Sequence, residues 1–343
     1  MIDFTYVNGL PADYEPFLIQ RYNSFITNCR YIEIHYADYD LGYMLVHKDG
    51  ELQDLFVFGN RGHLSKCFNS LTSIDSEVFK EFQKQIFITF PKISKIEIVA
   101  SYVKYDFEKS INYFVSDNHI LQLPNSLDEY YSLLGSKTRK HIKARTAKLY
   151  KEFKQVDFSI KFGQDVDRDV FDKIIKFNCM RMKGKGKTPG INEDNKNHLY
   201  QFVKQYGYVV YLELDGRIVA GCISTLINKT ISLHVIAHDN LYSKYNVGEV
   251  CAFHLIQKSM ENKWSDIQFL WGRSELKRRF LAVCHPLYFY YIYRNYTPEY
   301  YLKCLNVTCS NQIKRIEHIE ALSPLKNFVI GLRKKSFSIK AEK

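Results

Sequence analysis

YVVYLELDGRIVAGCISTLINKTISLHVIAHDNLYSKYNVGEVCAFHLIQKSMEN, residues 208–262, decides the fold of this 343-residue chain. Three apolar runs, 208–214, 218–227 and 230–237, follow one another as strands. Asp215-Gly216 joins the first two and reads as a tight hairpin, because glycine accepts the positive φ such a turn requires. The period then changes. From Gly248 to Asn262 the pattern is that of a helix. Upstream lie a strand at 158–162 and helices at 166–182 and 195–206. Downstream lie strands at 267–271 and 287–294. The order β, α, α, β, β, β, α, β, α, β is an α/β sheet order, and it departs from the strict alternation of a dinucleotide-binding fold.

The first 125 residues show a worn version of the same alternation. Gly42–His47 and Leu52–Phe58 read as strands around a Lys48-Asp49-Gly50-Glu51 turn. Ser76–Phe90 is a helix with Val78, Phe79, Phe82 and Ile86 on one face. Ile96–Val99 and His119–Leu123 are strands. Ser126 followed by Glu129 is a capping-box pattern that opens a short helix to Leu134, and Gly135 breaks it. The expected organisation is an N-terminal domain over 1–125, a connecting basic helix over 126–154, a C-terminal domain over 155–310 and a basic tail over 311–343.

That connecting helix holds eight Lys or Arg between 137 and 154 against one acid, Glu152. Ile142, Thr146, Leu149 and Phe153 form a thin apolar stripe along it. It is either a solvated surface helix or one that docks by its stripe and offers cations to an anion. The net charge of +11 favours polyanionic partners: nucleic acid, phosphorylated cofactors or an acidic membrane surface. Apolar residues make up 46% of the chain, enough for a sizeable core. Eight scattered cysteines form no Cys-x-x-Cys pair, and no histidine cluster has zinc spacing, so reduced thiols and no metal are expected. Neither a signal peptide nor an apolar run of the ~20 residues that span a bilayer is evident, which predicts a cytoplasmic protein or one peripheral to the inner membrane.

Three segments could carry chemistry. Tyr245-Asn246-Val247-Gly248-Glu249 opens a helix, where unpaired N–H groups and the helix dipole suit a pyrophosphate. Lys183–Gly190 is a basic glycine-rich loop without P-loop spacing, either a surface loop or a flap over an anion. Trp271–Phe280 puts Arg273, Lys277, Arg278 and Arg279 just after a strand, as surface decoration or as phosphate contacts. For acid–base work His234 and His238-Asp239 end the third strand, and period two places both imidazoles on one face. Each is a candidate base or a structural histidine. No Ser-His-Asp or Cys-His set is supported by spacing.

Taken together, Ser136-Lys137-Thr138-Arg139-Lys140, Arg181 with Gly184 and Gly186, the 211–221 meander, Tyr245–Gly248 and Gly272–Phe280 resemble a family. They look like GNAT-superfamily acyltransferases of the cellulose-biosynthesis-protein type, relatives of the Fem peptidyltransferases. The resemblance covers about residues 120–295. It implies two GNAT-like domains side by side, each a mixed, mostly antiparallel sheet flanked by helices. It implies acyl-CoA, acetyl-CoA or a longer thioester, as co-substrate. The acceptor would be a small-molecule or sugar-nucleotide amine, an amino sugar for a surface polysaccharide. On this pattern Tyr245, Asn246, Val247, Gly248 and Glu249 hold the donor pyrophosphate, Lys277 and Arg278 neutralise phosphates, and Lys137, Arg139, Arg181 and Arg273 bind substrate. Asp239 falls where the family tends to carry an Asp after the third strand of the meander, and with His238 and His234 from that strand's end it makes up the candidate catalytic group. Two rivals remain: an aminoacyl-tRNA-dependent Fem-like ligase, for which tRNA would be the partner, and a non-catalytic polyanion-binding module.

Overall fold

The computed structural model describes residues 2–272 and 274–316. The N-terminal half runs β1 (Ile2–Asn8), α1 (Glu15–Tyr22), α2 (Cys29–His35), β2 (Asp40–Lys48), β3 (Glu51–Arg61), β4 (Leu64–Cys67), α3 (Ser76–Thr89), β5 (Lys95–Ser101) and β6 (Ser110–Gln122). After it come α4 (Leu127–Leu133), α5 (Ser136–Glu152), β7 (Val156–Phe162), α6 (Arg168–Gly184), α7 (Lys196–Tyr206), β8 (Gly207–Leu214), β9 (Arg217–Ile227), β10 (Thr230–His238), α8 (Val247–Glu261), β11 (Asp266–Trp271), α9 (Glu275–Arg279), β12 (Val283–Tyr293) and α10 (Pro298–Ile316). The architecture is the expected α/β one, a mixed sheet flanked by helices.

Local chemistry explains most element ends. Asp49 and Gly50 turn the β2–β3 hairpin, and Asp215 and Gly216 the β8–β9 hairpin; all four have positive φ. Ser126 Oγ accepts from the Glu129 N–H at 3.1 Å and caps α4, while Glu129 reaches back to the Asn125 N–H. Asp75 caps α3 by accepting from the N–H groups of Glu77 and Val78.

Among the described residues the strands form one continuous sheet, ordered β1-β2-β3-β4-β5-β12-β6-β11-β10-β9-β8-β7. Two neighbouring pairs are parallel, β4 with β5 and β10 with β11; the others are antiparallel. The two halves lie side by side, and strands cross between them. β12 sits between β5 and β6, and β6 between β12 and β11. Tyr290 and Ile292 of β12 are buried in the N-terminal core, where the Tyr290 hydroxyl accepts from the Tyr105 N–H at 2.7 Å. In the second half α4, α5 and α8 cover one face of the sheet, and α6 and α7 cover the other. No described helix is long and apolar enough to cross a membrane. The Arg333-Lys334-Lys335 tail expected to be basic lies outside the described residues.

Candidate functional site

The site forms where β10 and β11 part. They pair at Thr230–Asp266, Ile231–Ile267 and Ser232–Gln268, and then no further. Below the parting the strands are pinned. Thr230 Oγ1 donates to Asp266 Oδ2 at 2.6 Å, and the Ser265 N–H donates to the Lys229 carbonyl at 2.8 Å. Above it each strand carries an irregularity. In β10 the register steps from Leu233–Ser224 to Val235–Ile223, which leaves His234 as a bulge. In β11 the pairing with β6 shifts between Gln268 and Trp271, and Leu270 takes φ 53°. A bulge adds a residue to one strand and bends it, so facing bulges pry the pair open.

The N-terminal half has the same parallel pair without the opening. After β4 the chain is stitched back to β5: the Leu71 N–H donates to the Ala100 carbonyl at 2.6 Å, and Thr72 bridges Ser101. On the other side of this segment the amide of Asn69 holds it to β3, accepting from the Val57 N–H and donating to the Leu55 carbonyl.

A cavity of about 620 Å³ occupies the parting of β10 and β11. Leu233, His234, Phe269, Leu270 and Trp271 wall it on the strand side. Asn178 and Arg181 of α6 and His198 of α7 close another side, and Phe25, Tyr31 and His35 reach in from the N-terminal half. The His234 Nε2 bonds Thr225 Oγ1 at 2.9 Å, its ring meets Phe25 edge-on at 5.0 Å, and burial pushes its pKa down to about 3. His35 stacks on Tyr31 at 4.1 Å and faces His198 at 5.3 Å. Its Nδ1 lies 3.0 Å from the Tyr31 carbonyl. A carbonyl only accepts, so Nδ1 carries the proton and Nε2 the lone pair. Burial lowers the His35 pKa and keeps the ring neutral at pH 7. Arg181 donates from Nη2 to Asn178 Oδ1 at 3.0 Å; its Nε is buried without a partner, and burial lowers its pKa.

The bulge separates the two histidines expected on one face. Leu233 packs in the core under α8 and Val235 in the core under α6, although period two would give them one face. His234 therefore joins Thr225 on the α6 side and lines the cavity. His238 pairs in register with Ala220 and turns to the α8 side. There its imidazole lies against Gly248, with Nδ1 2.9 Å from where a Cβ would stand and Nε2 3.3 Å from Ser243 Oγ. Burial, then the charge of Arg181, lower its pKa. Asp239 accepts from the Leu241 N–H at 3.0 Å and caps the turn that follows.

In that turn Ser243, Lys244 and Asn246 are exposed, while Tyr245, Val247, Gly248 and Glu249 are buried. The Tyr245 hydroxyl donates to Glu152 Oε2 at 2.6 Å, and Lys148 and Lys244 lie over its ring. The Glu249 carboxylate takes both Arg279 Nη groups, at 2.6 and 2.9 Å, and also pairs with Arg145 of α5. The Lys277 ammonium donates to the carbonyls of Leu270, Trp271 and Gly272 at 2.9, 3.0 and 2.8 Å, and burial pushes its pKa down to about 8. It holds the bent end of β11, so its donors are occupied by backbone. Arg278 is exposed and pairs with Glu275. Lys137 is exposed, and Arg139 donates to the Tyr131 carbonyl at 2.9 Å; neither lines the cavity. Arg273 lies outside the described residues.

Tyr31, His35 and His198 were not singled out in the sequence. The signal available was the i, i+4 spacing of Tyr31 and His35, which shares a face only on a helix.

Parted parallel strands behind a three-strand meander, with a helix opening at the turn between them, make a specific combination. Residues 136–278 match the acetyltransferase (GNAT) domain family. No curated protein sequence matches the chain. Among solved structures the chain is similar to FemX at 9% identity and TM-score 0.62, covering 83% of this chain and 96% of that one. It is similar to the C-terminal domain of a putative lysylphosphatidylglycerol synthetase from Agrobacterium fabrum, at 10% identity, 86% and 95% coverage and TM-score 0.55. L-PGS from Bacillus licheniformis follows at 13% identity, 87% and 96% coverage and TM-score 0.53. At such identities these likenesses speak for the fold, which is GNAT-like across both halves. The GNAT match takes in α5, the meander, the turn before α8 and both parted strands.

Proposed function

We propose that this protein transfers an acyl group from an acyl-CoA to an amine, and that the amine is carried by an amino sugar for a surface polysaccharide. The observation that carries this is the parting of β10 from β11 over a cavity of about 620 Å³. Past Ser232 the edge of β10 has lost its parallel neighbour, and a strand edge offers N–H and C=O groups at regular spacing. The pantetheine arm of CoA is an extended chain with two amides and suits such an edge. Its pyrophosphate would rest on the exposed turn at Ser243, Lys244 and Asn246, near the positive end of α8 and beside Lys148. His238 and Asp239 shape that turn. Glu249 and Lys277 brace its surroundings.

The acceptor enters from the cavity. Its neutral nitrogen attacks the thioester carbonyl, the C–N bond forms, and the tetrahedral intermediate expels CoA thiolate. The nitrogen's proton goes to His35 Nε2 and from there to solvent or the departing sulfur. No enzyme nucleophile takes part. A positioned base contributes ~10²–10⁴-fold. His35→Ala should lower kcat by about that range with the calorimetric Kd for CoA unchanged; a variant that keeps full turnover removes His35 from the reaction. His238→Ala should act on the donor instead and raise the KM for acyl-CoA.

The reading is tested by titrating the protein with CoA in a calorimeter and by following thiol release from acetyl-CoA with amino sugars. A protein that binds no CoA rules it out. A second reading, an aminoacyl-tRNA-dependent ligase, is favoured by the exposed face of α5, where Lys137, Lys140, Lys143, Lys148 and Lys151 point to solvent. Transfer activity lost on ribonuclease treatment would choose it.

A further inference from the structure

The cavity holds an unusual balance of charge. Its lining contains one guanidinium, three imidazoles and two asparagines, and no carboxylate. Arg181 has one hydrogen bond from Nη2, to Asn178, and a buried Nε–H that meets nothing. A buried polar hydrogen without an acceptor costs stability, and a guanidinium is shaped to take a two-oxygen anion. The same cavity is lined by flat rings: Tyr31 and His35, stacked on each other at 4.1 Å, and Trp271 at the end of β11. Flat rings match the apolar face of a sugar.

We propose that the cavity selects an amino sugar whose ring also bears an oxyanion, a carboxylate or a phosphate monoester, and that Arg181 grips that oxyanion. The inference rests on the transferase reading and adds the acceptor's class to it. The same lining suits the chemistry. A site without carboxylates gives an ammonium ion nothing to pair with. An amine held beside a guanidinium loses its proton more readily, and the neutral amine is the form that attacks. It also gives the N-terminal half a task, since Tyr31 and His35 complete the acceptor wall.

Calorimetry with three probes that share one ring tests this: D-glucosamine, D-glucosamine 6-phosphate and D-glucosaminuronate. One charged sugar should bind the wild-type protein at least about 10-fold more tightly than glucosamine, as expected for a charge-assisted pair. Whether the phosphate or the carboxylate wins names the oxyanion. Arg181→Met should bring the ratio to about one, Arg181→Lys should keep part of it, and CoA should bind both variants as it binds wild type. Arg181→Met removes an unmet buried N–H but also takes the donor from Asn178 Oδ1, so its melting temperature is measured beside the affinities, and a variant that is still fully folded at the assay temperature shows that loss of preference is not unfolding. Equal binding of the three sugars overturns the proposal. So does a preference that survives Arg181→Met, or a CoA affinity that falls 10-fold in that variant and places Arg181 on the donor. Failure of wild-type protein to bind CoA sinks the transferase reading alone, because the sugar ratio is measured without CoA.

Discussion

His234 shows how much one residue's setting decides. Its ring is walled by Phe25 and tied to Thr225, and its pKa near 3 keeps it neutral in the folded protein. In the unfolded chain it titrates near 6.5. Below that value the unfolded state binds a proton that the native state refuses, so stability is complete above pH 6.5 and falls as pH drops toward 3. One proton is worth at most ~1.4 kcal/mol per pH unit over that window. Urea midpoints at pH 7, 5.5 and 4.5 should therefore fall more steeply for wild type than for His234→Gln. Parallel curves would mean that His234 is protonated in the folded protein. The sequence named this residue but not its surroundings. Period-two alternation put it beside His238, and nothing local announces a bulge at Leu233–Val235. The matching bend in β11 is equally silent, since a leucine, and not a glycine, takes φ 53° at position 270. Lys277 was legible as a cation but not as the clamp on that bend, because three carbonyls of a turn cannot be counted from sequence.

At the scale of elements, the start of α8 is where the expected anion site met its own anion. A carboxylate in the first helical turn is favoured by the dipole, and Glu249 occupies that place. Its side chain is 8% exposed and lies between Arg145 of α5 and Arg279 of α9. One carboxylate thus ties three helices around the turn that precedes α8. Removing one partner of a buried ion pair leaves the others uncompensated and costs ~3–5 kcal/mol. Glu249→Ala should lose stability on that scale in urea, and adding Arg145→Met should return part of it by relieving the stranded charge. A loss under about 1 kcal/mol would show that the three helices are held by their apolar faces alone. The elements with strong periodicity, α3, α5, α6, α8 and the β8–β10 meander, were readable within a residue or two of their ends. α2 was not. Its seven residues, Cys-Arg-Tyr-Ile-Glu-Ile-His, are too few to show a sustained period; Asn28 caps them by accepting from the Tyr31 N–H, and packing against α7 and the neighbouring core holds them helical. The residue pair it carries into the cavity was lost with it.

For the molecule as a whole, the shared sheet governs how it unfolds. A sequence that shows α/β alternation twice invites division near residue 125, and no local pattern tells where β12 goes. In the structure β12 leaves the second half, pairs with β5 and β6, and buries Tyr290 and Ile292 among N-terminal residues. β6 in turn supplies the only antiparallel neighbour that β11 has among the described residues. A chain cut to residues 126–343 would lose β5 and β6 together. β11 would face solvent along a bare edge at the very strand that bends over the cavity, and β12 would have no partner on either side. Asn23 donates to Thr230 Oγ1 at the foot of the parted strands, so the cut would also strip the pin that closes the cleft from below. The full chain should therefore melt in one calorimetric transition, with the van't Hoff enthalpy equal to the calorimetric one. The 126–343 piece should aggregate or show no cooperative melt. Two resolved transitions, or a piece that melts cooperatively and still binds CoA, would show that each half folds by itself and that the crossing strands only dock them.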